Sequence, residues 1–532
     1  MKKSISLILI LVLTNILYSQ PFQNVQIDNT GSPEEPSICI NPKNTNFVVA
    51  GANINSYYYS SNAGLNWTEG TLTGTYQVWG DPCMSVDTLG NFYFFHLVNG
   101  TSFIDRMGCH KSTNNGVTYS VDTYWQHNSP RQQDKEWAAV DWTHGPRGNW
   151  IYVTWTQFDD YGVTTPSDSS RIIFTRSTDA GLTWLDPGTR INQLSGDCLD
   201  DDNTVEGAVP CVGPNGEIYV GWAGPKIINS QYGIFFNKST DGGNTWLPNP
   251  VYVADQPGGW AYDINGINRA NGLPITCCDV SGGPYTGNIY INWTDQAGTN
   301  DHDVKLVKST NGGLNWSAPI RVNDDPPGKE QFFTWMTVDQ TTGHIYFVFY
   351  DRRNYSDNLT TDVYMARSTD GGNTFINTLI SSTPFVPNQS TFFGDYTNIT
   401  AANGKIRPIW ARLQNHNLSV WTAIIDFPVA VENQNNKIPE SYTLAQNYPN
   451  PFNPSTTIKF TVPKNGKQLE HVTLKVYDVL GKEIASLVNE DLSPGTYQIE
   501  WNASQFASGV YFYNLISGDG SFSETKKMIL SK

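Results

Sequence analysis

Beyond its first twenty residues the chain has no long apolar run and no stretch of apolar residues at helical spacing. That leaves no basis for a helix-built core, because a helix must bury an apolar face of that period. Basic residues are outnumbered and never form a block: 33 Lys and Arg stand against 49 Asp and Glu, for a net charge of −16. Duplex nucleic acid is excluded as a partner, since its affinity rests on neutralised phosphates. The acidic surface serves solubility. Cysteine is sparse, seven in all, and an odd number leaves at least one thiol without a partner in the chain. No Cys/His spacing suits zinc, and Cys277 and Cys278 are simply adjacent. Cys39, Cys211 and Cys277 fall at matching positions of repeated strands, which favours small buried core residues over a disulfide framework. Gly, Pro and aromatic residues are plentiful instead, a composition suited to short strands joined by many turns. At 532 residues a large repeat domain and at least one further domain are expected.

The N-terminus, MKKSISLILILVLTNILYSQ, has two lysines, an apolar run from Ile5 to Leu13 and a polar end at Ser19 and Gln20. Residues 1–20 read as a secretory signal peptide, too short for a stable membrane span. No cysteine lies near that end, so a lipoprotein is not indicated.

One pattern, Ser-x-Asp/Asn-x-Gly-x-x-aromatic, recurs six times, beginning at Ser60, Ser112, Ser177, Ser239, Ser309 and Ser368. A regular period of this length is the signature of a repeat architecture. Asp or Asn accepts bonds from nearby backbone N–H groups, Gly supplies positive φ, and the aromatic closes over the turn. Upstream of the turns lie seven hairpins, from PSICINPKNTNFVVAG to FGDYTNITAANGKIRPIW. The seventh unit continues into LSVWTAIIDF and stops without a turn motif, and FQNVQIDNTG near the N-terminus reads as its missing strand. The fold class is all-β: a seven-bladed β-propeller closed by an N-terminal strand, with six blades as the alternative, plus a small C-terminal β-sandwich. The boundaries are 21–430 for the propeller, 431–441 for a linker and 442–532 for the sandwich, whose short alternating strands are separated by Pro, Gly and Asn turns.

The six turns resemble the Asp-box (BNR) repeat of sialidase-like propellers. This implies that they lie between third and fourth strands, away from the usual site. The tail resembles the type IX secretion C-terminal sorting domain. The residues that carry this are Asn447-Tyr448-Pro449-Asn450-Pro451-Phe452-Asn453-Pro454, Val476-Tyr477-Asp478 with Gly481, Gly509-Val510-Tyr511, and Lys527-Met528-Ile529. It implies export through the type IX machinery, with membrane contact only during export or surface attachment.

In a propeller the loops entering a first strand and those joining second to third strands reach one face, where concave sites gather ligands. The entering loops carry Glu34, Glu35, Asp81, Asp134-Lys135-Glu136-Trp137, Glu206, Arg269, Glu330 and Asp395-Tyr396. The other set carries Asp159, Asp160, Asp295, Asp351-Arg352-Arg353 and Arg412. Six of the seven entering loops place a carboxylate near the axis. Like charges around one opening raise pKa values or recruit a cation; solvated residues capping strand starts are the simpler reading. Asp200, Asp201 and Asp202, in the acidic loop from Asp197 to Asn203, suit Ca²⁺ by their oxygen density, without EF-hand spacing. Trp137, Trp260 and Tyr355 are positioned to stack on sugars or to fill blade cores.

The sialidase resemblance implies three arginines that hold a sugar carboxylate, a Tyr nucleophile paired with Glu, and a separate Asp acid/base. The corresponding residues here are Arg269, Arg352 or Arg353, and Arg412, with Tyr396, Glu206 and Asp134, while Trp137, Asp351 and Asp395 are further substrate contacts. The chain departs from the pattern in lacking an Arg-Ile-Pro-type motif in its first blades, in its seven units, and in the adjacency of Arg352 and Arg353. The expected function is a secreted propeller acting on extracellular glycans or glycoproteins as an exo-glycosidase. The alternative is a non-catalytic propeller that binds glycan or protein.

Overall fold

The computed structural model describes residues 22–298, 301–414, 416–430, 439–464, 469–503 and 506–532. The signal-peptide reading and most of the linker lie outside the described residues. Every regular element among the described residues is a β-strand.

Seven antiparallel sheets follow one another through residue 426. Their first strands are Ser37–Ile40, Cys83–Val86, Gln132–Val140, Glu206–Val212, Ile275–Cys278, Gln331–Val338 and Asn398–Ala402. Each first strand packs on that of the next sheet, and the seventh packs on the first, so the seven form a closed ring. The second strands show why the sequence lacks simple alternation. Ile151–Phe158 and Ile345–Asp351 are buried at every position, because sheets cover them on both faces.

The outer strand of the seventh sheet is Gln23–Asp28, paired antiparallel with Asn417–Asp426 from Gln23 opposite Ile424 to Asp28 opposite Val420. The chain's first described strand thus completes its last ring sheet. Side chains lock the closure from both sides. Tyr58 Oη donates to Asp28 Oδ2 at 2.8 Å, and Asn24 Nδ2 donates to the Ile380 carbonyl at 2.7 Å. Arg407, fully buried, donates to the carbonyls of Ala63, Ile406 and Ile425 and to Asp426.

The six repeat turns join third to fourth strands. In each, the Gly N–H donates to the Ser Oγ at 2.8–3.0 Å, with the Gly at φ between 74° and 87°. Each Gly also faces the preceding sheet: Gly116 faces Val49, Gly181 faces Tyr93, Gly243 faces Phe174, Gly313 faces Phe236, Gly372 faces Leu306 and Gly64 faces Arg407. The turns therefore stitch neighbouring sheets together.

The C-terminal residues form two four-stranded sheets around one core that includes Phe460, Leu474, Trp501, Tyr513 and Met528. Here burial alternates, as in Glu470–Tyr477, because each sheet has one covered face. The Asn-Pro segment packs into this unit: Asn450 Oδ1 accepts the Ile529 N–H at 2.9 Å, and Phe452 is buried against Trp501.

Candidate functional site at the mouth of the ring

The loops that enter the first strands carry a repeated backbone feature. Glu35, Asp81, Lys135, Gly207 and Phe333 stand five residues before the ends of their strands, and all have left-handed φ, between 50° and 70°. The kink is accompanied by strand irregularities at Asp134/Trp137, Glu206/Val209 and Phe332/Trp335. Non-glycine residues adopt this conformation at a cost of order 1 kcal/mol. Its recurrence brings charged side chains together around one axis.

Two cations organise the cluster. Lys135 Nζ lies 2.7 Å from Asp395 Oδ2 and 3.8 Å from Asp81 Oδ2. Arg269 forms a two-point pair with Asp395 and reaches Asp200 Oδ2 at 3.0 Å, while Tyr161 Oη donates to that same Asp200 oxygen at 2.7 Å. Asn53 donates to Glu34 and Glu35 and accepts the Asp81 N–H. Glu136 and Glu206 are fully buried, and among the described residues no hydrogen-bond partner meets either carboxyl oxygen of either one.

The carboxyls divide into two states. Burial pushes Asp134 up to about 8, with Asp81 and Asp200 adding to the effect against Lys135 and Arg269. Burial likewise lifts Glu34 to about 8 and moves Glu35, Glu136 and Glu206 upward. Burial would raise Asp395 as well, but Lys135 and Arg269 hold it down to about 2. Several carboxyls raised by burial thus lie around one that its cations hold down.

Beneath this layer Trp137 and Trp335 lie 4.3 Å apart by ring centroids, with Tyr396 edge-on to Trp137 at 5.0 Å. This aromatic plug lies between the charged mouth and a cavity of about 240 Å³ toward the repeat-turn face, lined in part by Cys39, Cys83, Cys211, Cys277 and Cys278. The matching cysteine positions are thus where the first strands face the axis. Tyr396 Oη is buried with no hydrogen-bond partner among the described residues, and burial moves the phenol upward.

The structure brings Asp134, Glu206, Arg269, Asp395 and Tyr396 to the axis and leaves the other arginines elsewhere. Arg352 is fully buried in the wall, where it donates to Thr361 Oγ1 and to the carbonyls of Asn358 and Asn265. Arg353 pairs with Asp351 and Asp324. Arg412 donates to the Pro384 carbonyl and lies over Trp421. Glu330 is bound to His302. The three acids expected to suit Ca²⁺ also separate: Asp200 faces Arg269 and Tyr161, Asp201 Oδ1 accepts the Asn203 N–H, and Asp202 Oδ1 accepts the Ala261 N–H. Among the described residues no group of three or more His, Cys, Asp or Glu is placed to hold a metal ion. Of the two roles open to Trp137 and Trp260, their 6% and 4% exposure matches the filling of blade cores.

Other aromatic residues occupy the surface instead. Trp79 stacks edge-on to Phe103 at 5.8 Å, and Phe103 to Tyr161 at 6.4 Å, forming an arc that ends on Asp200. Phe392 lies under the Arg269 guanidinium on the other side. Phe103 and Tyr161 sit in loops joining second to third strands, so reading those loops for aromatic as well as charged residues would have found them. Nothing local marks Asn53.

Comparisons with known proteins add the following. The chain is 32% identical to the endo-acting ulvan lyase of Formosa agariphila over 123 residues, which are 23% of this chain and 19% of that protein. YCF48 from Cyanidioschyzon merolae is a structural neighbour at 12% identity and a TM-score of 0.38, over 76% of this chain and 98% of the other. Trypanosoma rangeli sialidase in complex with 2,3-difluorosialic acid aligns at 11% identity and a TM-score of 0.33, over 93% and 83%. No residue role is carried across these likenesses. Residues 446–531 match the family described as a secretion system C-terminal sorting domain, which directs the chain through type IX secretion to the cell surface or beyond.

Proposed function

We propose that the chain is a seven-bladed β-propeller, residues 21–430, that binds an extracellular glycan at the mouth of its ring. A linker, 431–441, then leads to a sorting sandwich, 442–532, read by the type IX machinery. The observation that carries the binding reading is the arc of Trp79, Phe103 and Tyr161 leading to Asp200 and Arg269. Trp79 and Phe103 are 37% and 46% exposed, and Phe392 across the mouth is 38% exposed. Large aromatic faces held in water beside fixed hydrogen-bonding groups suit sugar rings, which present apolar faces and polar edges. The test is retention of the purified chain by immobilised neutral and acidic polysaccharides. Replacing Trp79 and Phe103 together by Ala should lower affinity by tenfold or more. Equal retention of the double variant would remove the arc from the binding site.

A second reading is supported by Asp134 and Asp395, which both feel Lys135 and Arg269 yet shift in opposite directions, since two carboxyls driven apart in this way can divide into a general acid and an ionised partner. The dispersed arginines do not support a clamp on a sugar carboxylate of the sialidase kind. Turnover of fluorogenic glycosides that is abolished by Asp134→Asn would favour this reading; an inert wild type would discard it.

A further inference from the structure

A second cleft opens on the same face, on the third sheet beside the second. It measures about 450 Å³ and is lined by Arg131, Arg171, Arg190, Gln126, Asn128 and Gln157 among others, with no carboxylate in its lining. In a chain with 16 more acidic than basic residues, three guanidinium groups converging on one cleft is an inversion of the local charge. The acid that pairs with two of them is Asp159. It accepts from Arg131 Nε at 3.0 Å and from Arg171 Nη2, and so holds the two side chains in place. Arg171 is 8% exposed and fixed further by Gln157 and by the carbonyl and hydroxyl of Ser169. Arg190 is tied by Nε to Asn192 and by Nη2 to the Gln193 carbonyl and Ser195 Oγ.

These bonds leave donors unused. Neither terminal nitrogen of Arg131 and not Nη1 of Arg190 meets a protein acceptor among the described residues. Three positive charges against one negative leave a surplus of about two, and burial together with the charge of Arg171 lowers the affinity of Arg190 for its own proton. An oxyanion in the cleft would relieve that repulsion and occupy the free forks in bidentate fashion. The cleft is also joined to the aromatic arc by one short loop. Asp159 holds its arginines, and Tyr161, two residues on, ends the arc while packing edge-on to Phe158 at 4.9 Å.

The geometry points to an oxyanion subsite formed by Arg131, Arg171 and Arg190, which selects glycans bearing carboxylate or sulfate groups along the Trp79–Phe103–Tyr161 arc. The inference rests on the glycan-binding reading and adds the chemical class of the ligand. Binding of the purified chain to polygalacturonate, dextran sulfate and neutral dextran tests it, the first two arms separating carboxylate from sulfate ester. At least one polyanion should bind more tightly than dextran, and the preference should weaken with salt. Arg131→Gln/Arg190→Gln should lose about tenfold in affinity for that polyanion and leave dextran unchanged. The charge-keeping Arg131→Lys/Arg190→Lys should fall between, and Lys43→Gln, which removes one charge on the opposite face, should match wild type. Thermal melts matching wild type show that the variants fold. A polyanion bound no better than dextran, or an equal loss in Lys43→Gln, would overturn the inference. Binding lost with Trp79 and Phe103 but blind to charge would overturn it while the glycan reading stands. Charge-dependent binding untouched by the aromatic variants would overturn the placement of the ligand along the arc and leave only the arginine cleft as its site.

Discussion

Asp134→Asn should change how the stability of the ring depends on pH. Asp134 is 7% exposed, and its Oδ1 accepts the Lys135 N–H at 3.0 Å, a bond that an Asn carbonyl reproduces. In the fold its carboxyl titrates at about 8, whereas an unfolded Asp titrates near its ordinary value of 3.8. A folded value above the unfolded one means that the native state retains a proton the unfolded chain has released. The stabilisation is complete below about pH 4 and is lost as pH rises toward 8, at up to about 1.4 kcal/mol per pH unit for one isolated group. Between pH 5 and 8 that limit is roughly 4 kcal/mol. The Asp134 charge also acts on buried Glu206, so protons are shared between the two and about half of it, roughly 2 kcal/mol, is expected. The amide cannot ionise, so the variant should gain on wild type by that amount across the window. Urea denaturation followed by tryptophan fluorescence at pH 5, 6, 7 and 8 measures the difference. Parallel curves for the two proteins would show that Asp134 is ionised in the fold and that the protonated layer at the mouth has been misassigned.

The repeat turns give a second test. A Cβ on Gly243 would lie 2.3 Å from Phe174 Cε1 at a φ of 87°, so Gly243→Ala should cost about 2–4 kcal/mol, read as a lowered urea midpoint. Ring closure gives a third. Arg407→Met leaves Asp426 with only Lys405 and strips the Ala63 carbonyl of its donor, which should cost about 3 kcal/mol and speed proteolysis near residues 22–30.

The sequence by itself determined whatever rests on local, periodic signals. The Ser-x-Asp/Asn-x-Gly turn closes through its own backbone bonds, so six copies locate six third-to-fourth-strand connections wherever they occur. Seven hairpins, one turn fewer and a stray N-terminal strand described the ring and its closure for the same reason. The Asn-Pro tail was legible because a short fixed segment pins the last strand of its unit. Tertiary structure alone decided which loop residues meet. Arg352 and Arg353 are neighbours in sequence, yet one spends its guanidinium on wall carbonyls and the other on Asp351 and Asp324. Trp137 could from its sequence either stack on a sugar or fill a core, and in the fold it packs onto Trp335, while Trp79 and Phe103 remain in water. Lys135 lies in a first strand while Asp395 and Arg269 lie in segments that precede other strands, and their meeting depends on the width of the ring and the repeated left-handed kink. The turn motif is short-range and survives translation along the chain, whereas a site at an axis depends on distances across the whole molecule.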